Sequence, residues 1–168
     1  MTPRIRPEEP RDTAAVAALV AAAFGRPGEA ALVAALRGSG EVSQALVAET
    51  DTGTLCGHVM FSPLRLVFAE AELAAQALAP VSVSPDHQRR GVGAALVRAG
   101  LAAAAGPVLV LGAPEWYSRF GFSWEATRPL ISPFPWAGRA FMAFDPEGVL
   151  TGREHGRVHY PEAFRLVA

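Results

Sequence analysis

The stretch Val81-Ser82-Val83-Ser84-Pro85-Asp86-His87-Gln88-Arg89-Arg90-Gly91-Val92-Gly93-Ala94-Ala95-Leu96 decides how the rest of this chain is read. It passes from a β-branched run, through a loop opened by Ser84-Pro85-Asp86, into Val92, Leu96, Val97 and Leu101 at helical spacing. A strand, a basic loop and a helix start therefore follow one another. The first turn of a helix leaves N–H groups unpaired and carries partial positive charge, so it can receive an anion, and glycines let that anion approach the backbone. Gly91 and Gly93 stand there, and Arg89 and Arg90 add full charges beside them. A diphosphate suits this arrangement. The Walker loop needs Gly-Lys, and the chain has no lysine; the dinucleotide loop needs three glycines, and only two are in place.

Upstream of the loop, Leu78 to Val83 reads as a buried strand, preceded by an ambiguous Ala69-to-Ala77 segment of helix-forming composition. Gln44 to Glu49 and Thr54 to Phe61 read as a β-hairpin about Asp51-Thr52-Gly53, and Leu64, Leu66 and Phe68 alternate after it. The opening third is helical. Thr13 is placed to cap a helix to about Phe24, and Glu29 to Arg37 forms a second, closed by Gly38-Ser39-Gly40. Downstream, Gly91 to Ala105 is a helix, Val108 to Leu111 a short buried strand, and Pro114 to Phe120 a helical turn or two stopped by Gly121. The tail alternates again at Phe141 to Phe144.

The chain has 168 residues, with 15 basic and 16 acidic side chains, a formal charge of −1 and one cysteine. At this length a single domain over 1–168 is expected, burying roughly 70% of the extended chain's surface with no metal or disulfide required. Cys56 alone cannot close an internal disulfide, and no zinc-type cysteine spacing occurs. The balanced charge argues against nucleic acid as a partner, since binding to phosphate backbones leaves a basic excess. The absence of lysine excludes a Schiff base on this chain. Met1 to Pro7 leads into Glu8, Glu9, Arg11 and Asp12 rather than an apolar run, so no signal peptide is expected. Ala14 to Phe24 is about half the ~20 residues of a membrane span. A cytoplasmic protein with no membrane partner is the expectation.

Gln88-Arg89-Arg90-Gly91-Val92-Gly93 matches the pattern Gln/Arg-x-x-Gly-x-Gly/Ala directly after a strand. Pro114-Glu115-Trp116-Tyr117-Ser118-Arg119-Phe120-Gly121-Phe122 is similar to a Tyr-x-x-x-Gly-Phe segment. On these two motifs, in this order, the chain resembles the GNAT superfamily of N-acetyltransferases. Tyr160-Pro161-Glu162-Ala163-Phe164 is similar to the ending of a bacterial branch of that family. The resemblance implies an α/β fold, a bent mixed sheet flanked by helices, with two central parallel strands, Leu78 to Val83 and Val108 to Leu111, splayed about the cofactor. It implies that the Ala69-to-Ala77 segment enters the first of these strands.

The same resemblance implies acetyl-CoA as acetyl donor, no metal, and a primary amine, small or peptidic, as acceptor. Val81, Ser82 and Val83 would pair through their backbone with its pantetheine arm. Gln88, Arg89, Arg90, Gly91, Val92, Gly93 and Ala94 would hold its pyrophosphate. A homodimer is a family-level expectation. An amine near its ordinary pKa of ~10 is protonated at neutral pH, so a base or water chain must free it before attack on the thioester. The Val83 N–H is the implied oxyanion donor, worth ~3 kcal/mol by analogy with other such donors. Tyr117 is the implied general acid for the leaving thiolate. Members with a dedicated base carry glutamate about eleven residues before the motif glutamine, and that position here is Ala77. Water held by backbone carbonyls ranks first as substitute, with Glu72 and Glu41 behind it; Glu115 is explained by its place at a helix start. The missing carboxylate also admits an alternative, an inactive CoA-binding or interaction module of the same fold.

Three weaker signals stay apart from this reading. Cys56 and His58, two apart on a strand, share a face, but without a third group they read as core. His155 and His159 have the spacing of zinc ligands on a helix, which Gly156 and Val158 interrupt. Trp116, Trp124 and Trp136 are consistent with an acceptor pocket or with packing.

Overall fold

The computed structural model describes residues 2–168. Its strands are β1 (Arg4–Pro7), β2 (Gln44–Glu49), β3 (Leu55–Val67), β4 (Glu72–Val83), β5 (Val108–Leu111), β6 (Leu130–Ile131), β7 (Phe141–Phe144) and β8 (Gly156–His159). The helices are α1 (Thr13–Phe24), α2 (Gly28–Ser39), α3 (Val92–Ala103) and α4 (Pro114–Tyr117). The strands form an eight-stranded mixed sheet in the order β1-β2-β3-β4-β5-β7, with β8 beside β3 and β6 beside β8. β4 and β5 run parallel, but their ladder consists of Gln76 against Val108 and Ala77 against Leu109, and ends there although both strands continue. Among the described residues no helix is long and apolar enough to cross a membrane.

By its internal contacts the chain forms two compact units. The first takes the chain up to Ser62, then Ala79–Ala103 and Pro161–Ala168. Its core is the seam where Val16, Leu19 and Val20 of α1 meet Leu32, Val33 and Leu36 of α2 over Val47 and Met60 of the sheet. Each such side chain contributes about 1.5–3 kcal/mol by leaving water. α3 lies close on β3 because two positions carry no side chain. A methyl at Gly57 would sit 2.8 Å from both Val92 Cγ1 and Leu96 Cδ1, and one at Gly100 would sit 2.3 Å from the Phe61 ring. The start of α3, where the loop from Ser84 to Gly91 ends, is thereby set against the sheet.

A buried ion cluster ties the amino-terminal strand to α1. Arg6 donates to both Asp12 oxygens, at 2.8 and 3.0 Å, and through Nε to Glu49 at 2.8 Å. The Arg6 guanidinium holds the Asp12 carboxyl down at about 2, against the opposing effect of burial. This changes the expected cap. Asp12, not Thr13, precedes the first residue of α1, and the Thr13 hydroxyl instead donates to the Pro10 carbonyl at 3.0 Å.

The second unit takes Pro63–Leu78 and Ala104–Tyr160. β5 lies between β4 and β7, with Val108 to Leu111 paired antiparallel to Phe144 to Phe141. Three strands went unforeseen: β1, whose four residues end in proline, and the short β6 and β8. β3 runs on through Leu64 and Leu66 to Val67 rather than stopping at Phe61. The Ala69-to-Ala77 segment joins β4 from Glu72 onward. Its alanines favour helix locally, but pairing supplied by distant strands overrides that preference.

Candidate active site

β4 ends at Val83, and the chain turns at once through Pro85–His87, a single tight turn fixed by a 2.8 Å hydrogen bond between Ser84 Oγ and His87 Nδ1. Gln88 folds back so that its amide nitrogen donates to the Val83 carbonyl at 3.1 Å. The motif glutamine thus closes the loop on the strand that precedes it. Arg89 then adopts φ 62° and Gly91 φ 83°. Left-handed backbone is ordinary for glycine but uncommon for arginine, and such departures cluster where backbone N–H groups converge on a ligand. The first α-helical bond of α3 runs from the Ala95 N–H to the Gly91 carbonyl at 3.0 Å, so the N–H groups of Val92, Gly93 and Ala94 belong to the open first turn. Arg89 and Arg90 are exposed beside it, without an ion-pair partner among the described residues.

On the strand side, Val81 and Val83 are half-buried and Ser82 is buried. The Ser82 hydroxyl is enclosed without a hydrogen-bond partner among the described residues. The ten residues expected to contact a CoA-type ligand therefore form two groups, 81–83 and 88–94, on one stretch of the first unit from the end of β4 to the first turn of α3.

Tyr117 belongs to the second unit. α4 opens on Pro114, whose ring suits a first helical position, and the Trp116 and Tyr117 N–H groups both donate to the Ala113 carbonyl at 3.1 Å. The turn tightens through Ser118–Phe120 and stops at Gly121 with φ 97°. The Tyr117 ring meets Trp116 edge-on at 4.8 Å, Phe122 at 5.6 Å and Phe120 at 6.5 Å between centroids. Burial among these rings pushes its phenol up to about 12. The group is fully protonated at neutral pH.

The carboxylates weighed as bases are engaged or exposed. Glu72 accepts from Arg65 at 2.7 Å, and Glu41 accepts from the Ser39 hydroxyl at 2.8 Å. Glu115 is exposed in the first turn of α4. Ala77 is buried beside Leu109 in the parallel ladder and carries no titratable group. Cys56 and His58 are both buried in β3. Burial raises the thiol, which disfavours a nucleophilic thiolate, and His58 Nε2 lies 3.4 Å from Glu8, itself paired with Arg37. His155 and His159 lie before and within β8, not on a helix. Trp124 is stacked between Arg128 and Arg139 at 4.8 and 4.9 Å, whereas Trp136 is 75% exposed. The second unit has a separate open cavity of about 600 Å³ lined by Phe68, Glu70, Arg153, His155 and Arg157, none of them a residue singled out for the reaction.

Comparison with known proteins identifies the family and the fold. A family model described as an acetyltransferase (GNAT) domain matches residues 4–125. The chain belongs to the GNAT superfamily of N-acetyltransferases. It is 33% identical over 164 residues to the uncharacterized N-acetyltransferase YhbS of Escherichia coli K12, covering 95% of this chain and 97% of that one. The crystal structure of E. coli YhbS in complex with CoA superposes with a TM-score of 0.88 at 32% identity, over 98% of this chain and 93% of that one. A GNAT family acetyltransferase from Brucella melitensis, crystallised with acetyl-CoA, gives 0.75 at 33% identity, over 96% and 97%.

Proposed function

We propose that this chain transfers the acetyl group of acetyl-CoA to a primary amine by direct attack of the neutral amine on the thioester. The observation that carries the reading is the loop from Gln88 to Gly93. Two left-handed residues, the open first turn of α3 and two exposed guanidiniums occur together there, a donor set for a diphosphate. The CoA-bound relatives support that ligand for this loop. Val81 to Val83 would carry the pantetheine arm, with the Val83 N–H offered to the developing oxyanion.

Tyr117 serves as general acid in this reading. A phenol near 12 donates a hydrogen bond to a departing thiolate readily, but full transfer to a thiol of ordinary pKa ~8.5 is uphill by roughly 5 kcal/mol. The burial that raises the phenol also raises the thiol, which narrows the gap. Most of the acid's contribution is therefore made while the carbon–sulfur bond is breaking. Deprotonation of the amine falls to water, because Ala77 stands where a fixed carboxylate would be and Glu72 is already paired.

Calorimetry with acetyl-CoA, followed by a thiol-release assay over a panel of primary amines, tests the proposal. Binding together with amine-dependent release of CoA is expected. Binding with no transfer to any amine would favour the second reading, an inactive CoA-binding module, which Ala77 motivates. No binding at millimolar ligand would remove both.

A further inference from the structure

β5 ends at Leu111 and α4 begins at Pro114, so only Gly112 and Ala113 lie between the strand and the helix that carries Tyr117. Gly112 does not occupy the left-handed region, so its backbone conformation is open to any residue. What it lacks is room. A methyl built there would sit 2.4 Å from Tyr117 Cε2, 2.9 Å from Cδ2 and 3.4 Å from Cζ, where carbon atoms normally rest at 3.5–4.0 Å. The overlap falls on one edge of the ring and is closest at Cε2, the neighbour of the carbon that bears the hydroxyl.

Neither side can retreat easily. The Gly112 N–H donates to the Ala140 carbonyl at 3.0 Å, just before Leu111 pairs with Phe141, so the glycine's backbone is tied to β7. The Tyr117 N–H is tied to Ala113, and Trp116 and Phe122 meet its ring edge-on at 4.8 and 5.6 Å. A methyl at 112 would have to swing the ring about its side-chain torsions and carry the hydroxyl with it.

We propose that Gly112 is a positioning residue for the reaction, its bare Cα forming the wall against which the Tyr117 ring is set so that its hydroxyl has one location. This rests on the reading of Tyr117 as the acid. Gly112 touches neither thioester nor amine in this account; it acts only through the ring.

Gly112→Ala is the direct test, with Tyr117→Phe beside it. Gly112→Ala should lower kcat roughly tenfold to a hundredfold, the range lost with a misplaced acid, while KM for acetyl-CoA changes less than about twofold. Gly112→Ala/Tyr117→Phe should be no slower than Tyr117→Phe alone. The chain has two tyrosines, so in a Tyr160→Phe background the tyrosinate absorbance reports Tyr117 by itself. There Gly112→Ala should bring the ionisation down from about 12 toward the ordinary ~10, as the ring is pushed into water. Should Gly112→Ala fold poorly, it should lower the thermal midpoint much less in a Tyr117→Ala background, where the ring it strikes is gone, than in the parent. If Tyr117→Phe is silent, the acid assignment fails and takes this inference with it. If Tyr117→Phe is slow while Gly112→Ala keeps full kcat and an unmoved tyrosinate titration, or if Gly112→Ala lowers the thermal midpoint as much in a Tyr117→Ala background as in the parent, only the role of Gly112 is overturned.

Discussion

The loop before α3 is made of backbone, and the surroundings of Tyr117 are made of rings. In the loop, Arg89 and Gly91 turn through the left-handed region and the side chains at 89 and 90 stay in water. At Tyr117 the backbone is an ordinary helical turn, and Trp116, Phe120 and Phe122 determine where the phenol lies. An anion-binding surface of N–H groups tolerates many side chains provided the φ angles are kept. A proton donor is one atom at the end of a long side chain, and its position depends on every neighbour. Damage to the first should therefore weaken binding and spare chemistry, while damage to the second should do the reverse.

The largest expected departure tests that division at its chemical end. Tyr117→Phe should cut kcat about a hundredfold and leave acetyl-CoA affinity within about twofold, as measured by steady-state kinetics and calorimetry. A parallel loss of affinity would mean that the two regions are not separable. At the binding end, Arg89→Ala/Arg90→Ala should weaken CoA about tenfold or more, since each exposed guanidinium contributes on the order of 0.5–1 kcal/mol to a phosphate once solvent screening is counted. Added salt should narrow the difference from the parent, with kcat at saturating donor unchanged. Gly91→Val should weaken CoA about tenfold through the roughly 1–2 kcal/mol that left-handed backbone costs a residue with a Cβ. Its loss should be insensitive to salt, which separates backbone from charge.

The smallest effect is on stability at high pH. A phenol whose folded pKa is raised from ~10 to about 12 binds its proton more tightly in the folded state. Its contribution is complete below about 10 and is lost as pH climbs through about 12. Tyr117→Phe should accordingly shrink the alkaline fall in thermal midpoint over that window and leave the acid side untouched. An identical alkaline profile in the variant would show that the ring is more open to water than its packing indicates.

The same division explains what could be read from the amino-acid sequence. The proposed anion loop is contiguous, so strand, loop and helix start were all visible in Val81 to Leu96, and β5 and β7 fall where their apolar runs predict. Tyr117 was identifiable only through its likeness to a family segment, because the rings around it and the glycine beneath it carry no local signal. β1, β6 and β8 were illegible for a related reason. They are two to four residues long, and their pairing with Glu49, Leu66 or Gly156 is a property of the folded chain. Ala69 to Ala77 shows the limit most directly, since its composition favours the helix that the sheet denies it.

Neither compact unit is a continuous length of chain. Read from the amino terminus, residues to Ser62, then 63–78, 79–103, 104–160 and 161–168 alternate between the first unit and the second. The last eight residues belong to the first unit, where Ala163, Phe164 and Val167 pack against the α1–α2 core. During synthesis, then, the helices made first cannot complete their burial until residues 161–168 leave the ribosome, and removal of that segment should be felt in the oldest part of the fold.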